Sequence, residues 1–220
     1  MNLPTEIVMV LGGLLTEAAA KQIKLFAPKN LLAVDQAYTK LLPFGLTPNF
    51  VIGDCDSIDK NSLPPGIKLV ERDDQDMTDF EKSIHFVREH SWKRVSIFGF
   101  GGGELDHILG NVEVLSKCFL NEDEFYFFDY FEDKPKLGCI IDKGITFNSF
   151  IGAKASLFPC PSAVLSSVGL KYEMSQLEIF QNQGVLALRN ELVENRVKIK
   201  VHEGKALIIF DADPGQLPRL

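Results

Sequence analysis

Short apolar runs separated by amphipathic stretches fill the chain as far as Pro135, and beyond it the apolar positions recur at every second residue. The first pattern is that of strands joined through helices into a mostly parallel sheet, and the second is that of strands alone. Candidate strands are Ile7–Leu11, Leu31–Val34, Phe50–Gly53, Ile67–Val70, Val95–Phe98 and Phe125–Phe128. One helix is predicted to open at Thr78-Asp79-Phe80-Glu81, a capping box in which the Thr hydroxyl and the Glu carboxylate satisfy each other's end of the turn. Phe80, Ile84 and Val87 then give it a buried stripe down to about His90. A second helix is predicted from about Leu105 to Lys117, on the spacing of Leu105, Ile108, Leu109, Val112 and Leu115.

Past Pro135 the spacing predicts no helix. The alternation Val197-Lys198-Ile199-Lys200-Val201 turns one face inward, and His202-Glu203-Gly204-Lys205 reads as the turn of a hairpin returning through Ala206–Phe210. Glu132-Asp133-Lys134-Pro135 is polar and contains a helix breaker, which sets a domain boundary near 131–137. The expectation is an α/β fold: residues 1–132 form a mostly parallel sheet flanked by helices, and residues 133–220 form an all-β, sandwich-like domain. The tail Asp213-Pro214-Gly215-Gln216 is expected to fray.

With 45% apolar and 24% charged residues among 220, disordered, collagenous and coiled-coil classes are excluded. Basic residues number 23 against 30 acidic, a net of −7, so the basic footprint of a nucleic-acid binder is missing. Cys55, Cys118, Cys139 and Cys160 are far apart and form no C-x-x-C pair, which fits reduced thiols in a cytoplasmic protein. The apolar segment Ile7–Leu15 and the run Ala18-Ala19-Ala20 could imitate a signal peptide, but Glu6 precedes them and no Lys or Arg does. No apolar run approaches the roughly 18–20 residues that a membrane-spanning helix needs.

Acidity is concentrated between Asp54 and Asp79, where eight acids face three bases. Two carboxylates about 4 Å apart repel by very roughly 4 kcal/mol at an effective dielectric near 20, so several converge only where a cation or protons compensate. Gly53-Asp54-Cys55-Asp56-Ser57 follows a strand and so falls at the carboxyl end of the sheet, where open α/β sheets bind ligands. Asp54 and Asp56, two apart in an extended segment, project to one side and suit Mg²⁺; the alternative is a strand end closed by Asx-type turns. In Asp73-Asp74-Gln75-Asp76-Met77-Thr78-Asp79, capping and the helix dipole account for Thr78 and Asp79 and leave Asp74, Gln75 and Asp76 open to function. Gly99-Phe100-Gly101-Gly102-Gly103-Glu104-Leu105-Asp106-His107 joins a strand to a helix, as a phosphate-cradling loop would, or serves as a flexible connector. Asp106-His107 is either an acid–base pair or a capping Asp beside a His.

In this order and spacing, Ala33-Val34-Asp35, Gly53-Asp54-Cys55-Asp56-Ser57, Asp74-Gln75-Asp76-Met77-Thr78-Asp79 and Gly102-Gly103-Glu104-Leu105-Asp106-His107 resemble the motifs of the thiamine pyrophosphokinase family. Ser156-Leu157-Phe158-Pro159, Gly169-Leu170-Lys171-Tyr172 and Asn190-Glu191 resemble that family's C-terminal signatures. The resemblance implies an enzyme that transfers diphosphate from ATP to the hydroxyl of thiamine, giving thiamine diphosphate and AMP. It implies Mg²⁺ held by Asp54, Asp56 and Asp79, and Gln75 and Asp76 beside the nucleotide phosphates with Thr78, Gly102, Gly103 and His107. Asp35 and Asp106 would lie near the reacting groups, and Tyr172 and Asn190 near the thiamine pocket. A homodimer in the cytoplasm, with the β domain helping to build the thiamine site at its interface, is implied in the same way.

The chain departs from the pattern at four places. Glu104 stands where similar proteins carry Arg, Arg189 where they carry Ser, Ala37 where they carry Gly, and Asn49 where Asp is common. A carboxylate at 104 reverses the local field toward a polyphosphate. Two further functions stay open on these grounds: a Mg²⁺–ATP diphosphotransferase for another alcohol such as a hydroxymethylpterin, and a non-catalytic sensor of nucleotide or thiamine diphosphate.

Overall fold

The computed structural model describes residues 6–26, 30–53, 63–131, 134–185 and 187–212. The Asp54–Ser57 motif, with Asp54 and Asp56, and the tail from Asp213 lie outside the described residues. The chain divides into two compact units, Met1–Tyr130 and Phe131–Leu220.

In the first unit the elements run β1 (Glu6–Val10), α1 (Glu17–Phe26), β2 (Leu31–Val34), α2 (Ala37–Leu41), β3 (Phe50–Gly53), β4 (Lys68–Glu71), α3 (Asp79–Glu89), β5 (Arg94–Phe98), α4 (Leu105–Cys118) and β6 (Glu124–Phe131). The strands lie in the order β6-β5-β1-β2-β3-β4, every adjacent pair parallel. Strands inside such a sheet are covered on both faces, which is why Ile7–Val10 and Leu31–Val34 read as unbroken apolar runs and are buried throughout. Helix α3 buries Phe80, Ile84 and Val87, the predicted stripe, and Phe86 beside them.

Two features differ from the capping and helix expectations. The Thr78 hydroxyl caps α3 by accepting the Glu81 N–H at 3.2 Å, but the buried Glu81 carboxylate pairs with Lys117 of α4 at 2.8 Å instead of turning back to the cap. A carboxylate enclosed between two helices gains more from an ammonium than from one amide. The Glu81 carboxylate in turn holds the Lys117 ammonium above its ordinary pKa. In α4 only the last turns are packed: Val114, Leu115 and Cys118 are buried, whereas Leu105 and Leu109 are exposed. Helices α1 and α2 are crossovers of the expected kind whose positions the spacing did not mark. Helix α1 is capped by the Thr16 hydroxyl, which accepts the Ala19 N–H at 3.1 Å, and it buries Ala19, Ala20 and Ile23.

In the second unit β7 (Lys134–Ile141), β8 (Gly144–Asn148), β9 (Lys154–Val168), β10 (Leu177–Phe180), β11 (Gln183–Gly184), β12 (Ala187–Glu191) and β13 (Arg196–Asp211) pair antiparallel. Among the described residues none after Pro135 is helical. The hairpin expected at His202–Lys205 is corrected: β13 is one strand of 16 residues running through that segment. It pairs with β9 along its length, with register shifts between Val201 and Glu203 and between Gly204 and Ala206. Its other edge passes from β8, over Arg196–Lys200, to β7, over Ala206–Asp211. Gly204 carries the bend at φ 74°, where a Cβ would stand 2.0 Å from the Ser162 carbonyl oxygen. A bulge uses the same residues as a turn, so composition alone did not separate them. Phe147 and Phe210 stack at 3.9 Å in the core of this unit.

Candidate active site

The first unit's strand order turns back at β1. The chain leaves β1 toward β2 on one side, and β5, on the other side, continues to β6. Neighbouring connections that part in this way open a crevice at the carboxyl ends of the strands, the place where open α/β sheets take ligands. A cleft of about 740 Å³ lies there. It is lined from the end of β1 by Gly12 and Gly13, from β2 by Asp35 and Gln36, and from α2 by Lys40. Thr78 and Asp79 at the start of α3, and Gly103, Glu104, Asp106, His107 and Asn111 at the start of α4, complete it.

The glycine run owes its composition mainly to the meeting of two loops. The Leu11 N–H donates to the Phe98 carbonyl at 2.8 Å, Gly13 to Gly99 at 2.9 Å and Leu14 to Gly101 at 2.9 Å, so the segments after β1 and β5 zip together. A Cβ on Gly13 would stand 2.3 Å from the Gly99 and Gly101 carbonyl oxygens. At Gly102, φ is 71° and a Cβ would fall 2.4 Å from that of Leu14. Gly103 has no such neighbour and faces the cleft, while Gly102 is not among its lining residues.

The carboxylates at the cleft are fixed by local structure. Asp35 ends β2 in the left-handed region, φ 46°, a conformation Asp tolerates better than most residues, with its N–H on the Ile52 carbonyl at 2.8 Å. The end of β3 abuts it, since a Cβ on Gly53 would lie 3.3 Å from that of Asp35. Asp79 opens α3 and its Oδ1 pairs with the buried Lys82 ammonium at 3.0 Å. Asp106 Oδ1 accepts the His107 N–H at 2.8 Å in the first turn of α4. Glu104 is the N-cap residue of α4 without a side-chain cap bond; its charge there is favourable to the helix dipole.

Gln75 and Asp76 are exposed in a turn closed by the Asp74 carboxylate, whose Oδ1 accepts the Asp76 N–H at 2.9 Å, and they are not among the lining residues. In the second unit Asn190 is buried, with Oδ1 accepting the Tyr172 N–H at 3.1 Å and the Glu191 N–H at 2.9 Å, and Nδ2 donating to the Tyr172 carbonyl at 2.7 Å. This holds Tyr172 in place with 70% of its surface exposed. Arg189 sits at φ 51° where the β12–β9 register shifts, its N–H on Ser156 Oγ at 2.9 Å.

Sequence reasoning missed Gly12, Gly13, Lys40 and Asn111. The available signals were the Gly12-Gly13 pair directly after a buried strand, and Ala37 and Leu41 at i, i+4, which turn Lys40 away from the core side of a short helix. Among the described residues no three His, Cys, Asp or Glu side chains gather as a metal cage. The donors that do line the cleft, Asp35, Asp79, Glu104 and Asp106, are hard carboxylate oxygens, which fits Mg²⁺ with its retained waters and phosphate ligands and does not fit a soft metal.

The profile of the thiamin pyrophosphokinase catalytic domain matches residues 25–127, the stretch that contributes most of this cleft. Thiamin pyrophosphokinase 1 of Caenorhabditis elegans is 27% identical over 187 residues, 78% of this chain and 75% of the relative. Thiamine pyrophosphokinase of Bacillus subtilis is 25% identical over 193 residues, 83% of this chain and 87% of the relative. The solved structure of thiamin pyrophosphokinase from Geobacillus thermodenitrificans superposes with a TM-score of 0.76 over 96% of this chain and 100% of that one, at 23% identity, and shows the common fold. Over residues 25–127, and at 25–27% identity along most of its length, the chain is similar to thiamine pyrophosphokinases.

Proposed function

We propose that the protein is an active thiamine pyrophosphokinase, transferring diphosphate from ATP to the hydroxyl of thiamine with release of AMP. The observation that carries this reading is the cleft at the β1/β5 switch point, lined by Asp35, Asp79, Asp106 and the start of α4. Transfer of this kind asks a protein to position its partners and balance charge; a nucleophilic Ser or Cys is not needed. The thiamine oxygen attacks the β-phosphorus, the bond to the α-phosphate oxygen breaks, and AMP leaves with the electron pair. The hydroxyl proton passes to a carboxylate; Asp106, which lines the cleft, is better placed for this than Asp76, which does not.

Asp54, Asp56 and Asp79 would hold Mg²⁺, which when bound supplies neutralisation of the polyphosphate charge. Gly103, Thr78 and His107 would face the nucleotide, and Gln75 and Asp76 would approach it from the turn before α3. In the second unit Tyr172 would contact thiamine, with Asn190 as the residue that positions it. The same reading makes the protein a cytoplasmic homodimer; among the described residues no helix is long and apolar enough to cross a membrane.

The deciding experiment is chromatographic detection of AMP and thiamine diphosphate from purified protein, ATP, Mg²⁺ and thiamine, with an EDTA control. Equal, metal-dependent amounts of both products are expected. Absence of thiamine diphosphate from protein that binds Mg²⁺–ATP would overturn the reading.

A further inference from the structure

The lining of the cleft poses an electrostatic problem. Four carboxylates, Asp35, Asp79, Glu104 and Asp106, face it; Lys82 pairs with Asp79 from behind, and among the described residues that line the cleft Lys40 is the one Lys or Arg. A polyphosphate entering such a space meets strong like-charge repulsion unless fixed positive charge offsets it. Glu104, at the start of α4, adds a further negative charge to the lining.

Lys40 lies near the end of α2, half-buried, with Ala37 and Leu41 anchoring the helix beneath it. Its ammonium donates to the carbonyl oxygen of Gly12 and, at 3.1 Å, to that of Gly13. These carbonyls are fixed in turn, because the loop after β1 is zipped to the loop after β5 by the Gly13–Gly99 and Leu14–Gly101 bonds. Two neutral acceptors hold the ammonium in place at the cleft and leave its full charge there. This is an arrangement for presenting positive charge at a defined position, since a flexible lysine stem otherwise loses much of its value to rotamer entropy.

We propose that Lys40 is the cation that recognises the β- and γ-phosphates of ATP in this chain, offsetting the carboxylates that line the cleft. The proposal rests on the function proposed above. It assigns ATP selectivity to a residue on α2.

The test compares affinities for Mg²⁺–ATP and for AMP, by calorimetry, in the wild type, Lys40→Met, Lys40→Arg and Lys40→Met/Glu104→Arg, with melting temperatures recorded alongside. Lys40→Met is expected to weaken Mg²⁺–ATP roughly tenfold, the loss of one charge-assisted contact, while AMP binding changes less than about twofold. Lys40→Arg is expected to keep most of the affinity, and Glu104→Arg to restore it in the Lys40→Met background. Unchanged Mg²⁺–ATP affinity in Lys40→Met would overturn the proposal. So would an equal loss of ATP and AMP binding with a lowered melting temperature, because that marks a mere clamp on the Gly12-Gly13 loop. The two readings fail separately: a wild type that forms no thiamine diphosphate but shows the Lys40-dependent preference for ATP sinks the activity and leaves Lys40 its role.

Discussion

In the N-terminal unit Asp35, Asp79, Glu104 and Asp106 line an open cleft, whereas in the C-terminal unit Asn190, Glu173 and Asp211 close onto groups of their own unit. Glu173 shows the second pattern well: its Oε1 accepts the N–H groups of Gly169 at 2.6 Å and Leu170 at 3.0 Å, and its Oε2 takes the Ser167 hydroxyl. Asp211 accepts the Lys154 N–H at 2.9 Å and pairs with Lys136. The same residue types therefore serve two ends. Where strands end at a switch point, side chains face a space that nothing in the fold fills. Where strands pair antiparallel and bulge, polar side chains satisfy backbone groups that the ladder leaves over. Substitutions of the cleft carboxylates should move activity, and those of Asn190, Glu173 and Asp211 should move stability.

The largest effect is expected at the metal. Asp54→Asn should lower turnover by well over tenfold at an unchanged melting temperature, and near-wild-type rates would remove Asp54 from the site. The zipped loops come next. Gly13→Ala should cost about 2–3 kcal/mol in chemical denaturation, since its Cβ would enter the space of two carbonyl oxygens, while Gly12→Ala, with nothing within 4 Å, should stay within about 0.5 kcal/mol. Equal effects at both glycines would break the packing account of the loop.

Asn190→Ala should destabilise by about 1–2 kcal/mol, because a buried amide is lost and the Tyr172 N–H is left without its partner. Tyr172→Ala, at an exposed side chain, should leave stability alone and raise the KM for thiamine. If instead Asn190→Ala alters thiamine KM without altering stability, the contrast between the units fails at its most informative residue.

The smallest effect is electrostatic. Burial alone would raise the Asp211 carboxyl, but Lys136, the Lys154 N–H and Arg189 outweigh it and hold the pKa below its ordinary value. A carboxyl depressed in the folded state stabilises the protein above its unfolded pKa, and that contribution is lost as pH falls through the folded value. Asp211→Asn should accordingly cost at most about 1 kcal/mol at neutral pH, and the difference from wild type should shrink as pH falls below the ordinary carboxylate range. A difference independent of pH would show that Asp211 acts through shape alone.

The strands of the first unit were legible because burial on both faces leaves a continuous apolar run, as in Leu31–Val34 and Phe50–Gly53, which the structure reproduces at the predicted bounds. Helix α3 was legible for a related reason: a cap and a stripe of period 3.6 are local signals. Helix α1 was masked by the resemblance of its alanine run to a targeting segment, although Thr16 and Ala19 carry a cap. The site was legible as a set of short motifs, and the acids at Asp79 and Asp106 meet at one cleft with Asp35. The phosphate-loop reading of the glycines was only partly informative, since a Cβ on Gly99 or Gly102 would meet the segment after β1 and one on Gly101 the Asp129 carboxylate of β6.

What the sequence determined by itself is therefore what depends on neighbours along the chain: which segments are strands, where α3 begins, and which residue types the motifs bring. Tertiary structure decided what depends on neighbours across space. It made one bulged strand of β13 where turn-rich residues suggested two, because β9 pairs with it on both sides of the bulge. It drew Glu81 from its own cap to Lys117, and it set Lys40 against the carbonyls of Gly12 and Gly13, 28 and 27 residues earlier in the chain. Such pairings follow from which strands lie side by side, and no local period encodes that.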